Sequence, residues 1–170
     1  MIVNFDDKSF YVLESENALL HVTLRAIHEN SPNEGTKIRF IFDTGAYLTV
    51  ISRGTAIKCG FDKLPKTTTY LFGFGGGLDV DFVRIPGLMV LNKLISNVPV
   101  LIPHDEYRKH KNEKKLIPDV LGLNVLEYYN YFVDTENGRL YLKENPTPRF
   151  YSSTLASGQT FLADATDKEL

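Results

Sequence analysis

Apolar positions along the chain fall in short runs with the alternation of β-strands rather than the period of long helices. Leu19-Leu20-His21-Val22-Thr23-Leu24 predicts one strand, and Ile38-Arg39-Phe40-Ile41-Phe42 predicts a second. The polar stretch Glu29-Asn30-Ser31-Pro32-Asn33-Glu34-Gly35 between them reads as a long hairpin loop. Tyr47-Leu48-Thr49-Val50-Ile51 is apolar and β-branched, a further strand with buried faces. Ser52 is placed to cap a short helix over Arg53 to Cys59 that Gly60 would end. Thr67 to Phe72 and Leu78 to Ile85 flank a glycine cluster. Ile95 to Ile102 is apolar with an internal Pro99, which favours an edge strand or a bulge. Gly122 to Tyr129 predicts one short helix. Tyr131-Phe132-Val133 and Arg139-Leu140-Tyr141-Leu142 flank Glu136-Asn137-Gly138, and Asn-Gly is a strong hairpin signal.

Many short strands with one or two short helices indicate an all-β barrel or sandwich. The length of 170 residues suits one domain, with 43% hydrophobic residues to fill its core. Residues 1–144 are expected to form that domain. From Asn145 the composition turns to Pro146, Pro148 and a Ser/Thr/Ala-rich stretch, so 145–170 reads as a docking arm or loose tail. Nineteen basic against 21 acidic side chains create no global field for nucleic acid or an anionic membrane, and neither is expected as a partner. A single cysteine, Cys59, excludes an internal disulfide framework and a cysteine-built zinc site. The first residues lack the pattern of a secretory signal, and no apolar run approaches the roughly 18 residues of a membrane helix. A reduced, cytoplasmic setting is the expectation.

The candidate chemistry centres on Asp43-Thr44-Gly45, directly after the apolar Phe40-Ile41-Phe42. A strand ending this way presents a carboxylate on a tight turn, where glycine permits close backbone approach and the threonine hydroxyl can bond locally. By itself the triplet is also compatible with a plain polar turn. A phosphatase-type aspartyl nucleophile usually has a second carboxylate two residues on, and that position is Gly45. Gly73-Phe74-Gly75-Gly76-Gly77 is followed by Leu78-Asp79, not by the Lys-Ser/Thr of a phosphate loop. Taken alone, the glycine cluster is a permissive hairpin turn and Val120 to Asn124 a buried strand meeting a helix.

In order along the chain, these elements resemble the retropepsin-like aspartic proteases. Asp43-Thr44-Gly45-Ala46 sits between two apolar strands as that family's catalytic loop does. Gly73 to Gly77 stands where the family has its flap hairpin. Val120-Leu121-Gly122-Leu123-Asn124 is similar to the family's hydrophobic-hydrophobic-Gly element, which supports the catalytic loop and enters a short helix. Ile95 to Leu101 and the closing Phe132 to Leu142 are similar too, so the resemblance spans about Ala18 to Leu142. It implies a one-lobe closed β-barrel of the acid-protease type, hydrolysing peptide or protein substrates without a cofactor or metal. Asp43, Thr44 and Gly45 would be catalytic. Ala46 and the flap residues Gly73, Phe74, Gly75 and Gly76 would bind substrate.

Such chemistry needs two carboxylates around one water, and this chain has one Asp-Thr-Gly. Asp134-Thr135 continues as Glu136 at a hairpin turn and is no second triplet. The expected solution is a homodimer with Asp43 of each chain facing the other across a two-fold axis. The tail, or a strand near Ile2 to Phe5, is a candidate for building it. Where many relatives carry Ser or Thr, Ala46 cannot donate a hydrogen bond to the carboxylates, which implies a pH optimum nearer neutrality. A silent domain of the same fold, serving dimerisation or peptide binding, is the alternative; an unrelated β-barrel binding protein would require these elements to coincide by chance. The basic run Arg108 to Lys115 reads as a solvated loop or helix face. His104, His110 and Asp105 lack a zinc spacing, and Cys59 reads as a buried structural thiol.

Overall fold

The computed structural model describes residues 10–28, 31–73, 76–104, 107–110, 113–115 and 117–145. Two short strands, β1 (Phe10–Val12) and β2 (Glu14–Glu16), lead into the longer β3 (Leu19–His28) and β4 (Ser31–Phe42). After β5 (Thr49–Val50) comes α1 (Arg53–Cys59). Then follow β6 (Lys66–Gly73), β7 (Gly76–Val90) and β8 (Lys93–Pro103). The hairpin strands β9 (Tyr107–His110) and β10 (Glu113–Lys115) precede β11 (Val120–Leu121) and α2 (Leu123–Leu126). The last hairpin is β12 (Tyr129–Asp134) and β13 (Arg139–Glu144).

Six strands close into a barrel. In the order β3-β4-β11-β5-β8-β7 each is bonded to the next, and β7 returns to β3 through Arg25↔Met89, Ala26↔Leu88 and Ile27↔Gly87. Closure satisfies backbone groups that an open sheet would leave at its edges. Strand alternation fills the interior: Val22, Leu24 and Ala26 point inward from β3, Ile38 and Phe40 from β4, Val83 and Ile85 from β7. Phe40, Ile51, Ile85 and Val100 are completely buried, each worth about 1.5–3 kcal/mol relative to exposure. A second sheet, β1-β13-β12, packs Leu140 and Leu142 onto this core. The architecture is the expected all-β single lobe, with two short α-helices among the described residues.

The predicted helix is found over Arg53–Cys59: the Ser52 side chain accepts from the Thr55 amide, and Gly60 ends it at φ 74°, a left-handed angle that suits glycine. Cys59 is buried at its end, and that burial pushes its thiol pKa up.

Three expectations change. The polar stretch after His28 is not a long loop, because strand pairing resumes at Ser31 and runs through Gly35↔Ile27 with a register shift. A Cβ on Gly35 would collide with the Arg25 side chain and the Ala26 carbonyl, so only glycine lets the strands meet there. Pro99 lies in an interior strand, not at an edge. Its carbonyl accepts the Asn124 side-chain amide, and β5 pairing begins only at Val100, so the missing N–H faces a position where no ladder bond is due. In the basic run, the described residues Arg108 to His110 and Glu113 to Lys115 lie in paired antiparallel strands rather than on a helix face. Residues 1–9 and 146–170, including the tail and the Ile2–Phe5 segment, lie outside the described residues.

Candidate active site

Asp43 follows the last residue of β4, and its surroundings are set by a strand that arrives late in the chain. β11 inserts between β4 and β5, parallel to β4 (Ile41↔Val120, Phe42↔Leu121) and antiparallel to β5 (Val120↔Val50). The chain from Asp43 to Leu48 must therefore loop around the end of β11. The Asp43 amide donates to the Leu121 carbonyl at 3.3 Å, and Ala46 donates to the Asp43 carbonyl at 3.3 Å to close the turn. The Gly45 amide donates to Asp43 Oδ1 at 2.8 Å, an Asx-type bond that fixes the side chain. Asp43, Thr44 and Gly45 are exposed and Ala46 is half-buried, so the loop holds its carboxylate open to solvent.

Helix α2 secures the loop from behind. The first amides of a helix lack intrahelical acceptors. Here Leu123 donates to the Ala46 carbonyl at 2.8 Å and Asn124 to the Tyr47 carbonyl at 3.2 Å. Gly122 has no side chain, and the Leu48–Thr49 backbone occupies the space a Cβ would need.

Beneath them is a buried polar lock. Asn124 Oδ1 accepts from the Thr49 amide (2.8 Å) and the Thr49 hydroxyl (2.9 Å), while its Nδ2 donates to the Pro99 carbonyl at 2.8 Å. Thr49 Oγ1 in turn accepts from the Gly122 amide at 3.1 Å. With the Tyr47 carbonyl turned to the Asn124 amide and the Thr49 amide turned to Asn124 Oδ1, β5 is only two residues long, shorter than its apolar run suggested. Asn124→Ala strands two buried donors and one acceptor, each costing about 1–3 kcal/mol. The expected loss is about 3 kcal/mol or more, read from the urea midpoint.

An outer support ties α1 to the same strand. Asp119, just before β11, accepts from the Ser52 amide at 2.7 Å and the Thr55 hydroxyl at 2.8 Å, and its carbonyl accepts from Ile41. Phe42 stacks edge-on against Tyr131 of β12, with ring centres 5.5 Å apart.

The glycine cluster connects β6 and β7, paired as far as Gly73↔Gly76. Phe74 and Gly75 lie outside the described residues. A small apolar cluster of Leu48, Val80 and Leu101, with Tyr47, Val50, Leu71, Leu78 and Phe82 against it, packs this hairpin onto the exit of the Asp43 loop. The structure thus brings the triplet, the glycine hairpin and the Val120–Asn124 element around one place. Sequence reading missed the roles of Thr49, Asn124 and Asp119. For Thr49 and Asn124 the available signal was a polar residue with apolar neighbours on both sides, which promised burial.

A second carboxylate, Asp81 on β7, is 1% exposed. Burial pushes its pKa up, but hydrogen bonds from His104, Thr68 and Lys66 outweigh this and hold it well below the usual carboxylate range. Its folded pKa thus lies below its unfolded one, near 4. The resulting stability is fully present above about pH 4 and is lost as pH falls through the folded value. Unfolding midpoints measured from pH 7 downward are expected to fall less steeply below about pH 4 in Asp81→Asn than in wild type.

Residues 33–128 match the family model described as "gag-polyprotein putative aspartyl protease". Among solved structures, a retropepsin-like aspartic protease from Rickettsia conorii is similar at TM-score 0.53 and 20% identity, over 78% of this chain and 87% of that one. The EIAV protease complexed with the inhibitor HBY-793 aligns at TM-score 0.45 and 17% identity, over 67% of this chain and 92% of that one. No curated protein gives a significant match. With more than half of its length inside the family model and an Asp-Thr-Gly loop wrapped around an inserted strand, the chain belongs to the retropepsin-like gag-polyprotein aspartyl protease family.

Proposed function

We propose that this chain is an aspartic endopeptidase that works as a homodimer, with Asp43 of two chains sharing one water. The observation that carries the reading is an exposed Asp43 held by the Gly45 amide on a loop that α2 and the Thr49–Asn124 lock fix from behind. Two carboxylates so close cannot both ionise, so the pair holds one proton. The ionised member takes a proton from the water as its oxygen attacks the peptide carbonyl carbon. The protonated member hydrogen-bonds the carbonyl oxygen as it gains negative charge. Collapse of the tetrahedral intermediate breaks the C–N bond, and a proton from the pair passes to the departing amine. Thr44 and Gly45 hold the carboxylate, Ala46 lines the floor, and the Gly73-Phe74-Gly75-Gly76 turn covers an extended peptide with backbone groups.

Cleavage of a peptide library, with sedimentation on the same samples, tests this reading. Specific activity should fall on dilution as dimers dissociate, because a monomer holds half the site. Activity strictly linear in enzyme, from a species that sediments as a monomer, would reject the two-chain site. A folded dimer that cleaves nothing would point to the silent peptide-binding domain. With alanine at position 46, the pH–rate profile is expected to peak above about pH 4, and a maximum well below that contradicts the role given to Ala46.

A further inference from the structure

The hairpin of β6 and β7 leaves the barrel at a defined point. Pairing of β7 with β8 ends at Val80↔Pro103, whereas β6 and β7 go on through Tyr70↔Asp79, Leu71↔Leu78, Phe72↔Gly77 and Gly73↔Gly76. Beyond Val80 the hairpin is two strands wide among the described residues. A two-stranded ribbon has little stability of its own, so its angle to the barrel is set at its root.

Asp81 sits at that root, opposite Thr68 on β6 and Ile102 on β8. It shares a strand face with Val83 and Ile85, so a carboxylate stands where the core would accept another apolar side chain. Its oxygens are gripped from three other places in the fold. Thr68 Oγ1 donates at 2.7 Å and His104 Nε2 at 2.5 Å to Oδ1, and since a carboxylate can only accept, Nε2 carries the proton. Lys66 Nζ at 3.1 Å and Arg53 Nη1 at 3.2 Å meet Oδ2. Arg53 begins α1, Lys66 and Thr68 belong to β6, and His104 follows β8 and also donates its amide to the Asp79 carbonyl at 2.9 Å. The carboxylate is inside while Arg53, Lys66 and His104 remain about two-fifths exposed at the rim.

We propose that Asp81 is a positioning residue for the β6–β7 hairpin, clamping its root to α1 and to the end of β8 and so setting the angle at which it lies over a bound peptide. This rests on the reading of that hairpin as the substrate cover. Buried ion clusters add little net stability compared with apolar packing, but their bonds are directional. An apolar residue would fill the volume and leave the ribbon free to rock; a carboxylate bonded on both oxygens from three elements does not.

Hydrogen exchange on the full-length protein, followed amide by amide, tests the clamp without needing activity. In Asp81→Leu, which keeps the volume apolar, and in Asp81→Asn, amides of Tyr70 to Phe72 and Gly77 to Asp79 are expected to exchange about tenfold faster. Amides of β3 and β4 should change no more than the loss of global stability requires. His104→Gln, which retains an N–H donor, should restore slow exchange that His104→Ala loses. With a cleavable peptide, the Asp81 variants should raise KM about tenfold with kcat changed by less than about threefold. Hairpin exchange unaltered in both Asp81 variants, or accelerated only in proportion to β3 and β4, overturns the proposal. If hairpin exchange rises selectively but no form of the protein cleaves peptide, the clamp stands and the protease reading fails.

Discussion

Asp43→Asn is expected to lower kcat by about 10³-fold or more while leaving the protein folded. Asparagine has the size of aspartate, and its side-chain oxygen can still accept the Gly45 amide that now meets Asp43 Oδ1, so the loop keeps its shape. What disappears is the shared, transferable proton. Positioned acid–base groups contribute about 10²–10⁴-fold each, and in a two-fold dimer the substitution removes both members at once. The thermal midpoint should stay within a few degrees of wild type, because Asp43 is exposed and supports no core contact. A mixing experiment sharpens the test. When wild type is diluted into excess Asp43→Asn and allowed to re-equilibrate, only wild-type pairs retain both carboxylates. Activity should then follow the square of the wild-type fraction; simple proportionality to that fraction would show that each chain acts alone.

Gly122→Ala is expected to destabilise the fold strongly. The ideal Cβ would lie 2.5 Å from the Leu48 carbonyl carbon, 2.7 Å from its oxygen and 2.8 Å from the Thr49 nitrogen. All three are backbone atoms, so no flexible side chain can swing away. The backbone of Gly122 is itself ordinary, at φ −99° and ψ 177°, which locates the penalty in space rather than in strain of the chain. Overpacking of this kind costs about 1–3 kcal/mol, and more where the obstruction is rigid. A loss of about 3 kcal/mol would lower the thermal midpoint by about 6–12 °C in a domain of this size. Relief requires Leu48 and Thr49 to move, which breaks the bonds to Asn124 and shifts the Asp43 loop, so activity should fall with stability. Gly54→Ala is the contrast: no atom lies within 4 Å of its Cβ position, on the exposed side of α1. That change should stabilise the protein by about 0.5–1 kcal/mol through helix propensity. Equal behaviour of the two variants in a melting experiment would remove the close-approach explanation.

Much of the fold was readable locally. Alternation along Leu19 to Leu24 marks a strand because one face meets the core and the other water. Ser52 and Gly60 bound a helix because one supplies an acceptor for a free amide and the other tolerates a left-handed angle. Elsewhere local rules point the wrong way. In Leu78-Asp79-Val80-Asp81-Phe82, alternation places both aspartates on a polar face, yet Asp79 is exposed and Asp81 is buried among cations. Its partners there are Arg53, Lys66 and His104, which no window of the chain puts beside it. Pro99 argues for an edge until the partner of its carbonyl is seen to be Asn124.

What the amino-acid order determined by itself was whatever depends on near neighbours: strand periods, the helix caps, the Asn-Gly turn, and a carboxylate on a glycine turn at a strand end. Its single Asp-Thr-Gly within one domain's length also sets the expectation of a second chain. The tertiary structure alone decided what depends on distant partners. It closed the barrel through β3 and β7, threaded β11 between β4 and β5, and joined Thr49 to Asn124 and Asp81 to His104. The physical reason is one of range. Dihedral preferences and burial periodicity act over a few residues, whereas a buried polar group must be satisfied by whatever partner the whole fold brings within about 3 Å.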